Sequence, residues 1–268
     1  MKTIYLILSA LLFLIACQQD HNKTTEKPMP ADGFVQATDG LDIHYVQGGS
    51  GDTTLVFVHG WCIDGSYFNE VAEGLKGRFR VVQIDLGGHG LSGTERSDWR
   101  PEVLAADVAA VVNGLNLKNV MLVGHSMGDV IVTEAAHLLK GKVIALLGID
   151  TFISPAADFS EEEAAGFSNA LRTAFPMVVD QFIGGFFPEQ ADSTIKQTIL
   201  EDMKKGPDSV CAEVLISLGD YLLQGKFGPR LAALNLPVTT INAVPVQDSL
   251  WNLAGVSIRS LPLTGVGH

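Results

Sequence analysis

The sequence lacks several features that mark common classes of protein. It contains only three cysteines, and neither the cysteine nor the histidine spacing matches a metal-binding motif. Its 18 lysines and arginines are outnumbered by 30 aspartates and glutamates, which gives a formal net charge of −12. This acidic balance argues against nucleic acid as a partner and against adhesion to anionic headgroups through a basic surface. We therefore expect neither a metal site nor a nucleic-acid interface.

The sequence also lacks a hydrophobic run of the length typical of a membrane-spanning helix. The apolar stretch of residues 4–16 follows Lys2 and is short for a membrane-spanning helix, but it has the length of a signal-peptide core. It ends in LIAC, which resembles the lipobox of bacterial lipoproteins, where the cysteine becomes lipidated. An ordinary secretory signal or an uncleaved anchor is the alternative. We expect a signal peptide over residues 1–16, a lipid on Cys17, and a location in the bacterial cell envelope through this lipid anchor.

The polar residues that follow have no periodicity, so residues 17–33 are predicted to be the lipidated cysteine and a flexible tether. The other two cysteines, Cys62 and Cys211, are expected to be unpaired and to act as small hydrophobic side chains. Outside the cytoplasm they could also form a disulfide.

Strand and helix patterns alternate after the tether, and 47% of the residues are hydrophobic, which predicts one α/β domain. Apolar runs at residues 54–60, 80–86, 119–126 and 142–150 are typical of parallel strands buried on both faces of a doubly wound sheet.

Residues 152–228 lack any β pattern and contain amphipathic helical stretches, so they are predicted to be a helical insertion. The strand pattern resumes at 236–242 and 256–263. The α/β core is therefore expected over residues 34–151 and 229–268.

Three motifs follow predicted strands at their carboxyl ends, where open α/β sheets bind ligands. GHSMG fits the G-x-S-x-G turn that exposes a nucleophilic serine, here Ser126, between a strand and a helix. HGW follows an earlier strand, and the backbone N–H groups of Trp61 and Met127 could form an oxyanion hole. His268 follows the last predicted strand and comes last in the order serine, acid, histidine.

Together these motifs resemble those of the α/β-hydrolase fold family. The resemblance covers residues 34–268 and includes HGW, DLGGHGLS, GHSMG and GVGH. It implies that the helical insertion is a cap over the active site. It also implies acyl transfer to Ser126, with His268 as general base and then general acid, water as the final acceptor, and no cofactor. The serine argues against the aspartate-nucleophile dehalogenases and epoxide hydrolases that share the fold.

Two residues are candidates for the acid that would complete a catalytic triad with Ser126 and His268. By the resemblance it should follow the strand at 237–242, but residues 243–245 offer no carboxylate. Asp248 lies a few residues further on, and Asp150, which ends the preceding strand, is slightly preferred. Either carboxylate would orient the imidazole and stabilise its protonated form. Asp129, at a position where relatives commonly have glycine, is interpreted as a solvated residue at a helix start.

Three further histidines lie in these motifs. His59 and His89 are expected to form hydrogen bonds with backbone groups near the pocket, and His125 is expected to be structural rather than catalytic.

The sequence thus predicts a lipid-anchored serine esterase that acts on a small apolar acyl ester. The phenylalanines of FIGGFF, residues 182–187, with Phe167 and Phe175, suggest an apolar pocket under the cap, although they are equally ordinary core residues. One alternative is a carbon–carbon hydrolase, lyase or perhydrolase with the same Ser–His pair. The other is a non-catalytic ligand-binding protein, favoured by the unsettled acid, by Asp129 and by the end of the sequence at His268.

Overall fold

The computed structural model describes residues 31–243 and 246–263, and these contain an eight-stranded sheet. The strand order is β1-β2-β4-β3-β5-β6-β7-β8. Its strands are β1 (Asp32–Gln36), β2 (Asp42–Gly48), β3 (Thr54–Val58), β4 (Arg80–Ile84), β5 (Val120–His125), β6 (Val143–Ile149), β7 (Val238–Asn242) and β8 (Ile258–Pro262). β2 pairs antiparallel with β1 and β4, and every other pair is parallel. The predicted, mostly parallel sheet is confirmed.

Helices cover the sheet and fill the connections. They are α1 (Asn69–Leu75), α2 (Pro101–Gly114), α3 (Gly128–Leu138), α4 (Glu161–Phe182), α5 (Ser193–Asp202), α6 (Asp208–Leu223), α7 (Phe227–Ala232) and α8 (Asp248–Leu253). Two 3-10 turns occur at Gly65–Phe68 and Ile183–Phe186. Because every residue of β3 is buried, its unbroken apolar sequence matches a strand covered by helices on both faces. No helix in the described ranges is both long enough and apolar enough to cross a membrane.

The helical insertion lies between β6 and β7, as the sequence predicts. Its first helix, α4, begins with a capping box in which Ser160 and Glu163 satisfy each other's backbone N–H groups. This helix kinks at Ala174, two residues before Pro176, because proline restricts the preceding residues and removes a helical hydrogen bond. The insertion packs on the core through Trp61 and Phe175, whose rings meet edge to face at 5.6 Å.

Two elements differ from the sequence-based expectation. The strand β1 begins at Asp32, so the last two residues of the predicted tether belong to the sheet. It was missed because it is a short edge strand whose residues are all exposed or half-buried, which leaves a weak apolar pattern. The long helix α6 was not singled out, since its many buried positions hide any clear amphipathic stripe.

A buried ion pair fixes the loop that follows β4. Arg96 is 3% exposed and donates to both carboxylate oxygens of Asp107, which is 1% exposed, at 2.7 Å. It also donates to Asp39 in the β1–β2 turn, at 2.7 and 3.0 Å. One guanidinium thus joins the loop, the helix α2 and the edge of the sheet.

We expect Arg96→Met to lower the free energy of unfolding by about 3 kcal/mol, because it leaves the buried Asp107 carboxylate without its partner. Arg100→Met is the matched control, since Arg100 pairs with Asp98 at the surface and its loss should leave stability unchanged. Urea unfolding of both variants measures the difference. Equal effects of the two substitutions would contradict the structural role assigned to Arg96.

Candidate active site

The turn between β5 and α3 holds Ser126 in a strained conformation. Its φ of 51° lies in the left-handed region, which residues other than glycine rarely adopt. The flanking glycines allow the strand and helix to approach closely. A Cβ on Gly124 would lie 2.7 Å from the Gly128 carbonyl oxygen, and one on Gly128 would lie 2.8 Å from that of Val58. Ser126 therefore sits at the apex of a tight turn and lines a cavity.

Two backbone N–H groups lie beside this serine. Trp61 and Met127 are both buried and line the same cavity as Ser126. The loop that carries Trp61 packs against the turn so closely that a Cβ on Gly60 would lie 3.2 Å from the Ser126 Cβ. Within residues 31–243 and 246–263, neither the Trp61 nor the Met127 backbone N–H donates a hydrogen bond. Both are thus available to bind a negatively charged oxygen.

Asp150 follows the strand next to the one that presents Ser126. The residues before them, Ile149 and His125, are paired in the parallel register, and the Ser126 N–H donates to the Ile149 carbonyl at 3.3 Å. Asp150 is 6% exposed and has a φ of 47°. Its Oδ1 accepts the N–H of Ala243 at 2.9 Å, so the carboxylate is held between the ends of β6 and β7.

The other candidates lie elsewhere. Asp248 is exposed and is the first residue of α8, where a carboxylate favours the helix dipole. His268 and Cys17 lie outside the described residues. The structure therefore brings together Ser126, Trp61 and Met127 around one cavity and places Asp150 at the end of the adjacent strand.

A polar network that the sequence alone does not reveal joins the serine turn to the loop after β6. The Thr151 hydroxyl donates to the Ser126 carbonyl at 2.7 Å. Asn242 accepts the Thr151 N–H at 3.2 Å and donates to the Thr151 carbonyl at 2.9 Å, and the Thr240 hydroxyl donates to that carbonyl at 3.0 Å. No motif marks these residues; the only signal is their position at strand ends.

Asp129 belongs to the same network, so its interpretation as a solvated residue was wrong. Its carboxylate accepts the N–H groups of Val130 at 2.6 Å and Phe152 at 3.2 Å. Phe152, like Asp150, has a positive φ, so the carboxylate holds a strained segment in place. Burial raises the pKa of Asp129 to about 6, although hydrogen bonds from Thr151, Phe152 and Val130 oppose the rise.

The histidines His59 and His89 bond to backbone groups, as expected. The Leu86 N–H donates to His59 Nε2 at 3.0 Å, so His59 Nδ1 carries the proton that it donates to the Gly60 carbonyl at 2.8 Å. His89 Nδ1 lies 3.1 Å from the Gly87 carbonyl oxygen. Burial lowers the pKa of His59 to about 4 and that of His89 to about 3, so both rings are neutral at pH 7. His125 lines the cavity beside the serine.

The cavity above Ser126 has a volume of about 760 Å³ and lies between the sheet and the insertion. Phenylalanines contribute much of its lining, namely Phe159, Phe167, Phe182, Phe186 and Phe187. Phe175 does not line it, because its ring packs on Trp61. The charged lining residues are Asp158, Glu163 and Asp220, all exposed and therefore at the mouth. Among the described lining residues there is no lysine or arginine.

The mostly parallel sheet, the glycine-flanked serine turn and the cavity beneath the helical insertion are features of one protein family. A profile of the α/β-hydrolase fold family matches residues 53–191, about half of the chain, and the chain belongs to this family. It is similar to a bifunctional esterase/perhydrolase from Acinetobacter calcoaceticus, with 38% identity over 98 residues that cover 36% of each chain. It is also 40% identical to a non-heme haloperoxidase from Rhodococcus erythropolis over 96 residues, 35% of each chain. The matches thus span about a third of the length of these curated relatives.

Solved structures show the same fold over most of the chain. An esterase from Exiguobacterium antarcticum superimposes with a TM-score of 0.71 and 20% identity, covering 85% of this chain and 90% of that one. This likeness concerns the fold, and it extends beyond the sheet and its helices into part of the helical insertion, because 85% of the chain is more than the core alone.

We expect the raised pKa of Asp129 to appear in the pH dependence of stability. Its folded pKa of about 6 exceeds its ordinary value of 3.8, so the protonated form stabilises the fold. That contribution is complete below about pH 4 and is lost as the pH rises through about 6. Between these values, the free energy of unfolding of the parent should fall by about 2 kcal/mol relative to Asp129→Asn.

Urea unfolding of both proteins at several pH values gives this difference directly, because all other titrating groups are shared. Parallel stability curves for the parent and Asp129→Asn would contradict the burial of this carboxyl.

Proposed function

We propose that the protein is a serine hydrolase that cleaves a neutral, apolar ester through an acyl-enzyme on Ser126. The observation that carries this proposal is the strained glycine-flanked turn at Ser126 beside the two available N–H groups of Trp61 and Met127. A turn without catalytic use has no need of a strained serine at its apex, or of buried N–H groups beside it that find no acceptor among the described residues.

The chemistry follows from these positions. Ser126 Oγ attacks the ester carbonyl and gives its proton to His268, the proposed general base. The carbonyl oxygen becomes negatively charged and accepts hydrogen bonds from the Trp61 and Met127 N–H groups. The intermediate then expels the alcohol, which takes the proton from His268, and water attacks the acyl-enzyme by the same steps.

We propose Asp150 rather than Asp248 as the residue that orients His268. A triad carboxylate acts from a buried, fixed position, and Asp150 is buried and held by the Ala243 N–H. Asp248 is exposed on the first turn of a short helix. The network of Thr151 and Asn242 supports this choice, because it fixes the Asp150 loop relative to Ser126.

The lining of the cavity supports an apolar, uncharged substrate. A volume of about 760 Å³ suits a ligand with a medium-length acyl chain or an aromatic ring. A carboxylate on the substrate would meet phenylalanines inside and carboxylates at the mouth, and no lysine or arginine among the described lining residues would offset its desolvation. The lipid on Cys17 and the location in the cell envelope stay predictions, and they fit access to apolar esters at a membrane surface.

Perhydrolysis is the second candidate, and the relative named as a bifunctional esterase/perhydrolase favours it. The same acyl-enzyme would then react with hydrogen peroxide in place of water and release a peracid. Hexanoic peracid formation from p-nitrophenyl hexanoate and hydrogen peroxide, lost in Ser126→Ala, would test it, and release of hexanoic acid alone would contradict it.

We expect a fluorophosphonate probe to label the parent and to leave Ser126→Ala unlabelled, because the probe reacts with an activated serine. His268→Ala should also lose labelling. Asp150→Asn should slow labelling by about 10³-fold to 10⁴-fold, and Asp248→Asn should leave the rate unchanged. In-gel fluorescence over time measures these rates.

Ser168→Ala is the matched control, since Ser168 lines the same cavity but donates its hydroxyl hydrogen bond within α4. Labelling that persists in Ser126→Ala would contradict the proposed nucleophile. A larger loss in Asp248→Asn than in Asp150→Asn would transfer the role of the acid to Asp248.

We expect strong discrimination by charge between two esters of equal length. The kcat/KM for p-nitrophenyl hexanoate should exceed that for the p-nitrophenyl monoester of adipic acid by at least about 100-fold, because the adipate carboxylate enters the apolar cavity unpaired. Asp220→Asn should narrow this ratio about two- to threefold by removing a like charge at the mouth. Equal kcat/KM values for the two esters in the parent would contradict the proposed substrate class.

A further inference from the structure

Two cysteines meet where the cap packs on the core. Cys62 directly follows Trp61 in the loop after β3, and Cys211 lies in the first turn of α6. Both are free and buried. The Cys211 thiol is close enough to Cys62 to contribute to the raised pKa of that side chain, although roughly 150 residues of chain separate the two cysteines.

The backbone around the two cysteines is fixed independently of the sulfurs. The Trp61 indole N–H donates to the Cys211 carbonyl at 2.7 Å, so the loop after β3 is tied to the start of α6. Cys62 has a φ of 55°, a conformation that its own sequence does not favour and that the surrounding packing must maintain. The two side chains are therefore held near each other by the fold.

The two thiols also border a second cavity, of about 280 Å³, whose lining includes Asp64, His89 and Lys205. This space beside the sulfurs leaves room for the small side-chain rotations that bonding requires. If the two thiols stayed reduced, they would act only as small hydrophobic side chains, a role that other hydrophobic residues could fill equally well.

We propose that Cys62 and Cys211 form a disulfide that cross-links the Trp61 loop to the cap when the chain folds in an oxidising compartment. A disulfide oxidant supplies the chemistry: one cysteine thiolate attacks it, forms a mixed disulfide and releases one thiolate. The second cysteine thiolate then attacks the sulfur of the first, which forms the Cys62–Cys211 bond and releases the second thiolate. The two protons lost by the cysteines end on the two released thiols, and the oxidant gains the two electrons.

The surroundings of Cys62 indicate when the disulfide forms relative to folding. Burial raises the pKa of its thiol, with a further contribution from the neighbouring Cys211 side chain. The thiolate is the reactive form, so the folded, reduced protein reacts slowly and the bond forms while the chain folds. Because the bond closes a loop of about 150 residues, it should raise the melting temperature by on the order of 10 °C.

The test uses the full chain with Cys17→Ser, so that only two thiols remain. The denatured, reduced protein is refolded with mixed oxidised and reduced glutathione, and thiols are counted under denaturing conditions beside non-reducing peptide mapping. We expect no free thiol, a peptide pair that joins Cys62 to Cys211, and a melting temperature that falls by about 10 °C on treatment with dithiothreitol.

The variants Cys62→Ser and Cys211→Ser are the matched controls, and their melting temperatures should not respond to dithiothreitol. Two titratable thiols in the refolded parent would overturn the proposal, and so would a bond whose reduction raises the melting temperature. The thiol count decides the question even if a single variant fails to fold. None of these measurements depends on hydrolase activity, so they stand apart from the test of the proposed function.

Discussion

The close packing of the serine turn is the constraint on which the rest of the site depends. Strand β5 approaches helix α3 at Gly124, and helix α3 approaches strand β3 at Gly128, so tightly that only glycine fits at these two positions. The turn forces the serine into a left-handed conformation and leaves the Met127 N–H without a helical partner. Strain, exposure of the side chain to the cavity, and one oxyanion donor thus have a common origin in backbone geometry.

Hydrogen bonds connect the turn to the strand ends beside it. Thr151 bonds the Ser126 carbonyl, Asp129 bonds the Phe152 N–H, and Asn242 bonds both backbone groups of Thr151. The ends of β5, β6 and β7 therefore form one polar unit beneath the cavity. A fixed relation between nucleophile and acid is what triad chemistry requires, since small displacements cost much of the rate.

The sequence was informative where local chemistry dictates structure. Unbroken apolar runs predicted the buried parallel strands, and the glycines around Ser126 predicted the turn, because both depend on residues close in the chain. Asp129 was misinterpreted because its partner, Phe152, is remote in sequence, and no periodicity reports such a contact. The proximity of Cys62 and Cys211, which were expected to be unpaired, was not predicted for the same reason. The phenylalanines of the insertion were correctly associated with a pocket, but only the fold separates those that line it from Phe175, which packs on Trp61.

The most direct test of the account is to trap the acyl-enzyme. The parent is mixed with excess p-nitrophenyl hexanoate, quenched in acid within milliseconds, digested and analysed by mass spectrometry. We expect a hexanoyl group on the peptide that contains Ser126, formed together with a burst of p-nitrophenol equal to the enzyme concentration. Turnover without any adduct on that peptide, or an adduct on a different residue, would contradict it.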